Sequence, residues 1–92
     1  MLFEWDEGKR QANIEKHGLD FVDAIEVFGA PYIDVPSLYD GNEERFLAIG
    51  LLEGRLVTIV YTIRNDAIRI ISFRRARYEE RKKYEKIYGS RA

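Results

Sequence analysis

Residues 55–73, RLVTIVYTIRNDAIRIISF, carry the pattern that decides the fold. β-Branched and aromatic residues fill both halves of the stretch, and Asn65-Asp66 separates the halves. Two such runs joined by a two-residue polar turn are typical of a β-hairpin. The sequence therefore predicts two antiparallel strands, 55–64 and 68–73, as part of an antiparallel sheet.

Further strands are predicted on the N-terminal side of this hairpin. Residues 45–52 have a strand pattern and reach the hairpin through the tight turn 53–54. Residues 32–35 are short and β-branched, and Pro36 closes them, as expected of an edge strand. The polar residues 37–43 are predicted to form a loop. Together these elements make a twisted antiparallel sheet of about four strands.

Three helices are predicted around this sheet. The first begins at Asp6 as its N-cap and ends at Gly18, because glycine readily takes the left-handed conformation that ends helices. The second begins after Asp20 and ends at Gly29, and the third covers residues 77–88. The predicted fold class is therefore α+β, with two N-terminal helices, the sheet and a C-terminal helix.

The composition excludes several kinds of site. Ninety-two residues suffice for one domain, residues 1–92. The absence of cysteine excludes disulfides and thiol catalysis, and a single histidine, His17, excludes a multi-histidine zinc site. No apolar run reaches the ~18 residues of a membrane span, and the N-terminus lacks a signal-peptide pattern. We therefore expect a cytoplasmic protein that uses no metal or other cofactor.

The net charge of −1 conceals a strong asymmetry along the chain. Residues 1–53 contain four basic and twelve acidic residues, a net charge of −8. Residues 54–92 contain eleven basic and four acidic residues, a net charge of +7, and eight of the basic residues are arginines. Such asymmetry indicates contact with nucleic acid, and arginine binds phosphate through two hydrogen bonds. Alternatively, these arginines pair with the acidic half across the fold.

The predicted hairpin separates the arginines that are candidates for phosphate contact. Arg64 ends one strand, whereas Arg74 and Arg75 follow the other, so they lie roughly 20–25 Å apart if the strands are straight. Arg74 and Arg75 should instead lie near Arg55. Period-two alternation also predicts that Arg69 and Arg75 share one face of their strand, with Arg74 on the other.

These residue types suit RNA cleavage, because the neighbouring 2′-hydroxyl of RNA serves as the nucleophile. Arginines can hold the phosphate and stabilise a pentavalent dianion. His17 could move a proton near neutral pH, and tyrosines such as Tyr84 could stack on bases. His17 could also be a helix C-terminal residue favoured by the helix dipole, and Arg81-Lys82-Lys83 could be one exposed helix face.

Several motifs follow one another between Phe3 and Tyr84. They are Phe3-x-Trp5-Asp6-x-x-Lys9, Asn13-x-x-Lys16-His17-Gly18, Tyr61-Thr62-x-Arg64 and Arg69-Ile70-Ile71-Ser72-x-Arg74-Arg75-Ala76, with Glu80 and Tyr84 beyond. In this order they resemble the BrnT family of bacterial toxins. The resemblance implies a ribonuclease toxin of a type II toxin–antitoxin pair, with a RelE-like fold, that cleaves RNA without a metal and inhibits translation and growth.

The same resemblance implies partners and site residues. The partners are an RNA substrate and a cognate antitoxin with a DNA-binding domain, so that operator DNA is reached only through the antitoxin. Carried over by position, the catalytic candidates are Arg64, Arg74, Arg75 and His17. The candidates for RNA contact are Lys16, Arg55, Arg69, Arg77 and Tyr84.

Two other functions also fit the sequence. A degenerate toxin would be a non-catalytic module that binds a protein partner through its basic face. A regulator would bind DNA or RNA without cleaving it, with an affinity that falls steeply as salt is added.

Overall fold

The computed structural model describes residues 2–37, 41 and 43–89. Its elements in chain order are β1 (Leu2–Glu4), α1 (Glu7–His17), α2 (Phe21–Phe28), β2 (Tyr32–Pro36), β3 (Phe46–Leu52), β4 (Arg55–Arg64), β5 (Ala67–Arg75) and α3 (Tyr78–Tyr88). Most of the predicted loop 37–43 lies outside the described residues. None of the helices in the described part of the chain has the length and apolar character needed to cross a bilayer.

One mixed five-stranded sheet organises the molecule, in the order β1-β5-β4-β3-β2. Strands β2 to β5 form the predicted antiparallel meander, with β2 at one edge. The prediction of about four antiparallel strands is incomplete, because β1 adds a parallel strand to β5, with Leu2 opposite Ala67. Three residues are too few to show a periodic pattern, and the partner of β1 lies far along the chain.

The sheet is covered on both faces, which explains the apolar runs of β3 and β4. Helix α2 packs closely against β3, where a Cβ on Gly50 would lie only 2.9 Å from Val27 Cγ1. On this face, the main core includes Phe21, Ala24, Val27, Val57, Ile59, Ile70 and Phe73. On the other face, α3 completes a smaller core of Ile33, Ile49, Leu56 and Tyr84.

Both N-terminal helices begin where the sequence predicts. The Asp6 carboxylate accepts a hydrogen bond from Lys9 N–H at 2.9 Å, and the Asp20 carboxylate accepts one from Val22 N–H at 3.0 Å. These bonds satisfy backbone donors that a helix leaves free at its start. Helix α1 ends at Gly18, whose φ of 70° lies in the left-handed region.

An irregularity in the central hairpin changes which face the side chains of β5 occupy. The register between β4 and β5 shifts by one residue after Val60. Ile70 and Phe73, three residues apart, both belong to the main core as a result. The predicted alternation is therefore wrong across this shift: Arg75 shares the face of Phe73, whereas Arg69 lies on the opposite face.

Candidate functional site

A cleft of about 320 Å³ lies at one end of the sheet. The residue after α1, the β3–β4 turn, the start of β4 and the end of β5 contribute to its walls. Its lining residues are Gly18, Leu19, Leu52, Glu53, Arg55, Val57 and Arg75. A neighbouring cleft of about 290 Å³ shares Arg55 and Arg75 and adds Arg81 from α3. We call this joint feature of Arg55, Arg75 and Arg81 the arginine cleft.

The register of the hairpin brings Arg55 and Arg75 together. Val57 lies opposite Arg75, and Arg55 is two residues before Val57 on the same face of β4. Arg55 and Arg75 are therefore diagonal neighbours, expected about 7–8 Å apart, with their Cβ atoms somewhat closer. Two guanidinium groups at this spacing can contact one phosphate from two sides.

The arginines of the arginine cleft are exposed and form no ion pair within the residues that the structure describes. Arg77, a predicted RNA contact, is likewise exposed and without an ion pair in that part of the chain. It precedes α3 and lines a separate groove with Tyr78 and Lys83. The three positive charges of the arginine cleft are thus available to an anionic ligand, and Arg77 adds one in its separate groove.

Arg74 forms a largely buried ion pair with Glu80 of α3. Its Nη1 and Nη2 donate to Glu80 Oε1 and Oε2 at 2.8 and 2.9 Å, and the two side chains are only 13% and 11% exposed. Glu80 also accepts hydrogen bonds from the Thr58 hydroxyl and the Arg77 backbone N–H, both at 2.8 Å. Burial alone would raise the pKa of Glu80, but these bonds outweigh burial and lower the pKa to about 2. Arg74 therefore joins α3 to the sheet.

Two further candidates, Arg64 and Arg69, lie away from the arginine cleft. Arg64 is at the opposite end of the hairpin, seven residues beyond Val57 along β4, a separation of roughly 20 Å. Its Nη2 contacts Glu43 Oε2 at 3.0 Å. Arg69 Nη1 contacts a Glu4 carboxylate oxygen at 2.9 Å, on the face away from Arg75. The structure thus keeps both residues apart from Arg55 and Arg75, as the hairpin geometry predicts for Arg64.

His17 ends α1 beside the cleft, since the residue after it forms part of the cleft wall. Asn13, one turn earlier, holds α1 against β5: its Nδ2 donates to Phe73 O at 2.8 Å, and its Oδ1 accepts from Phe73 N at 3.1 Å. Burial and the positive charges of Lys16 and Arg74 lower the pKa of His17. The imidazole is therefore mostly neutral at pH 7, while Lys16 itself is exposed.

Tyr84 belongs to the smaller core. Its side chain is 6% exposed and packs with Ile33, Ile49 and Leu56. Its ring centroid lies 4.9 Å from that of Tyr88. An RNA base has no access to this ring, so we leave Tyr84 out of the candidate site. Within α3 the buried residues are Glu80 and Tyr84, one helical turn apart. The sequence does not show how this helix docks on the sheet, so it could not predict that Tyr84 is buried.

Two residues of the site were not among the candidates drawn from the sequence. Arg81 follows Arg77 by four residues, so helix periodicity places both on one side of α3, and this spacing was an available signal. Glu53 lies in the β3–β4 turn and belongs to no motif. Its place in the cleft depends on the turn geometry, which only the structure shows.

Comparisons with known proteins agree with the fold and identify the family. The family model described as ribonuclease toxin, BrnT, of type II toxin-antitoxin system matches residues 5–80. Among solved structures, the 1.1 Å crystal structure of the Brucella abortus ribonuclease toxin BrnT is 36% identical to the chain, with a TM-score of 0.67. The match covers 84% of this chain and 99% of that one. No curated protein matches the chain. With a family match over most of its length, the chain belongs to the BrnT family of ribonuclease toxins of type II toxin–antitoxin systems.

Proposed function

We propose that this chain is a metal-independent endoribonuclease of the cytoplasm, which inhibits translation and growth by cleaving RNA. The observation that carries the proposal is the convergence of Arg55, Arg75 and Arg81, all exposed, on one cleft. Membership of a family described as ribonuclease toxins supports it. Guanidinium groups can supply the positive charge that a metal supplies in other nucleases, so the reaction needs no metal.

In this mechanism the scissile phosphate binds between Arg55 and Arg75. The 2′-oxygen of the RNA attacks phosphorus, and negative charge accumulates on the pentavalent phosphorane. The strand ends hold the backbones of both arginines beside the phosphate, and their guanidinium groups stabilise this charge as it develops. His17, with its lowered pKa, contacts the RNA as a neutral imidazole that can exchange a proton, and Lys16 contacts the RNA backbone.

A cognate antitoxin would neutralise the toxin by covering the arginine cleft. A segment that competes with RNA must match its charge, so we expect an acidic segment over Arg55, Arg75 and Arg81. A DNA-binding domain on the antitoxin would carry the pair to operator DNA, which the toxin itself does not contact.

The test is cleavage of single-stranded RNA by the purified chain in the presence of EDTA. We expect the wild-type protein to cleave and Arg75→Ala to reduce the rate by about 100-fold or more, as removal of one transition-state donor does. Arg64→Ala is the control, because it removes an arginine at the opposite end of the hairpin from the arginine cleft. We expect this variant to retain cleavage. Expression of the wild-type chain alone should arrest growth, and Arg75→Ala should relieve the arrest.

Three other results of this cleavage test would each contradict a different part of the proposal. Cleavage that requires an added divalent cation would contradict metal independence. RNA or antitoxin binding without any cleavage would identify the chain as a binding module. Equal losses in Arg64→Ala and Arg75→Ala would show that the arginine cleft is not the site.

A further inference from the structure

We propose that Glu53 is the general base that removes the proton from the attacking 2′-hydroxyl. This inference rests on the proposed ribonuclease function and adds a catalytic residue to it. The carboxylate is the one acidic side chain among the residues that line the cleft of about 320 Å³, which it shares with Arg55 and Arg75.

The position of Glu53 suits proton transfer at a bound phosphate. Leu52 pairs with Arg55 across the turn, so Glu53 is separated from Arg55 by a single residue, and Arg75 lines the same cleft. Despite these neighbours, Glu53 forms no ion pair within the described part of the chain. An exposed carboxylate without a cationic partner keeps its lone pairs available to accept a proton.

The backbone at Glu53 is unusual for this residue type. Its φ is 52°, and that of Gly54 is 79°, so both central residues of the two-residue turn are left-handed. Turns of this kind favour Asn, Asp or Gly, and the β4–β5 turn uses Asn65-Asp66 with φ of 52° and 64°. Glu53 is thus a poor turn former in a turn that lines the cleft, and strained backbone residues cluster at active sites.

In the proposed reaction, one phosphodiester linkage of the RNA is cleaved by its own 2′-hydroxyl. Glu53 accepts the proton of the 2′-hydroxyl as the 2′-oxygen forms a bond to phosphorus. The bond between phosphorus and the 5′-oxygen breaks, and the departing 5′-oxygen takes a proton from water. The products are a 2′,3′-cyclic phosphate and a 5′-hydroxyl, and the proton on Glu53 returns to solvent.

The experiment compares four variants for cleavage of single-stranded RNA and for binding of a 2′-O-methyl RNA of the same sequence. Glu53→Gln should cleave about 10²–10⁴-fold more slowly, the range of a lost general base, yet bind as tightly as wild type or more tightly. Glu53→Asp should recover part of the rate. Glu53→Asn should raise the melting temperature, because Asn fits the turn, while cleavage stays low. Asp66→Asn is the matched control for Glu53→Gln, since it also replaces a carboxylate by an amide of the same length, but in the β4–β5 turn. It should leave cleavage unchanged.

The outcomes separate this inference from the proposed function. If Glu53→Gln cleaves within about threefold of wild type while Arg75→Ala is impaired, Glu53 is not the base and the ribonuclease function stands. If Glu53→Gln loses binding together with cleavage, the residue has a structural or binding role and the inference fails. If the wild-type chain cleaves no RNA, both proposals fail.

Discussion

Adjacent residues on one strand have different roles at this site. Arg74 and Arg75 point to opposite faces of β5, so Arg74 meets Glu80 beneath α3 whereas Arg75 lines the arginine cleft. The sequence identifies both as arginines at a strand end near Arg55, and that part of the prediction holds. The sequence could not show that Arg74 is paired with a carboxylate whereas Arg75 is not. The partner of Arg74 is Glu80, and its position depends on how α3 docks on the sheet.

His17 provides a prediction about the pH dependence of stability. Its pKa in the folded protein is below the ordinary value of 6.5, so the unfolded chain binds this proton more readily. The stability that this group contributes is complete above the ordinary pKa and is lost as the pH falls below it. We therefore expect the urea midpoint of the wild type to decline as the pH falls through about 6.5, and that of His17→Gln to decline less.

The carboxylates with lowered pKa values provide the internal control for this measurement. Glu80 titrates near pH 2, and the pKa values of Glu7, Asp20 and Glu43 are also lowered. None of these groups is expected to titrate in the window of His17. Equal declines in wild type and His17→Gln would show that the histidine is not responsible.

At the scale of secondary structure, the sequence predicted the elements that local signals encode. It did not predict the features that depend on pairing between distant parts of the chain. The caps Asp6 and Asp20 and the two tight turns are encoded within a few residues, so the helices and the meander follow from the sequence. Strand β1 depends on its partner β5, and the register shift after Val60 depends on how two strands fit one core. Neither leaves a local pattern, which is why the predicted sheet lacked one strand and Arg69 was predicted on the wrong face.

Helix α3 is held to the sheet by Glu80, and this contact predicts a large stability change. Lowering the pKa from 4.5 to about 2 corresponds to roughly 3 kcal/mol of stability. That stability is present above pH 4.5 and is lost as the pH falls toward 2. Glu80→Gln would leave Arg74 buried without its countercharge, so we expect the free energy of unfolding at neutral pH to fall by about 3 kcal/mol.

Urea denaturation of Glu80→Gln and Glu79→Gln tests this prediction with a matched pair. Glu79 is the neighbouring residue of α3 and is exposed, so its substitution should change the free energy of unfolding by less than about 0.5 kcal/mol. The wild type should also lose stability below about pH 4.5, and Glu80→Gln should lose less. Similar stabilities for the two variants would mean that the contact with Arg74 contributes little.

At the scale of the whole molecule, the distribution of charge matters more than its sum. The net charge is only −1, and Arg64, Arg69 and Arg74 are balanced by carboxylates within the fold. Arg55, Arg75 and Arg81 are exposed, form no ion pair within the described residues, and lie together at the end of the sheet that holds the arginine cleft. A phosphate backbone approaching this end therefore meets a local field that the isoelectric point does not reveal.

This local field predicts how RNA binding depends on salt. Each phosphate contact with a single strand contributes about −0.7 to the slope of log K against log salt, so the three arginines of the arginine cleft give a slope of about −2. Arg75→Ala should make the slope shallower by about 0.7, whereas Arg64→Ala removes an equal charge that Glu43 already balances and should leave the slope unchanged. Titration of a 2′-O-methyl RNA at several salt concentrations measures both. If the two variants change the slope equally, binding follows the net charge of the protein, and the arrangement of its arginines at the end of the sheet is irrelevant to RNA.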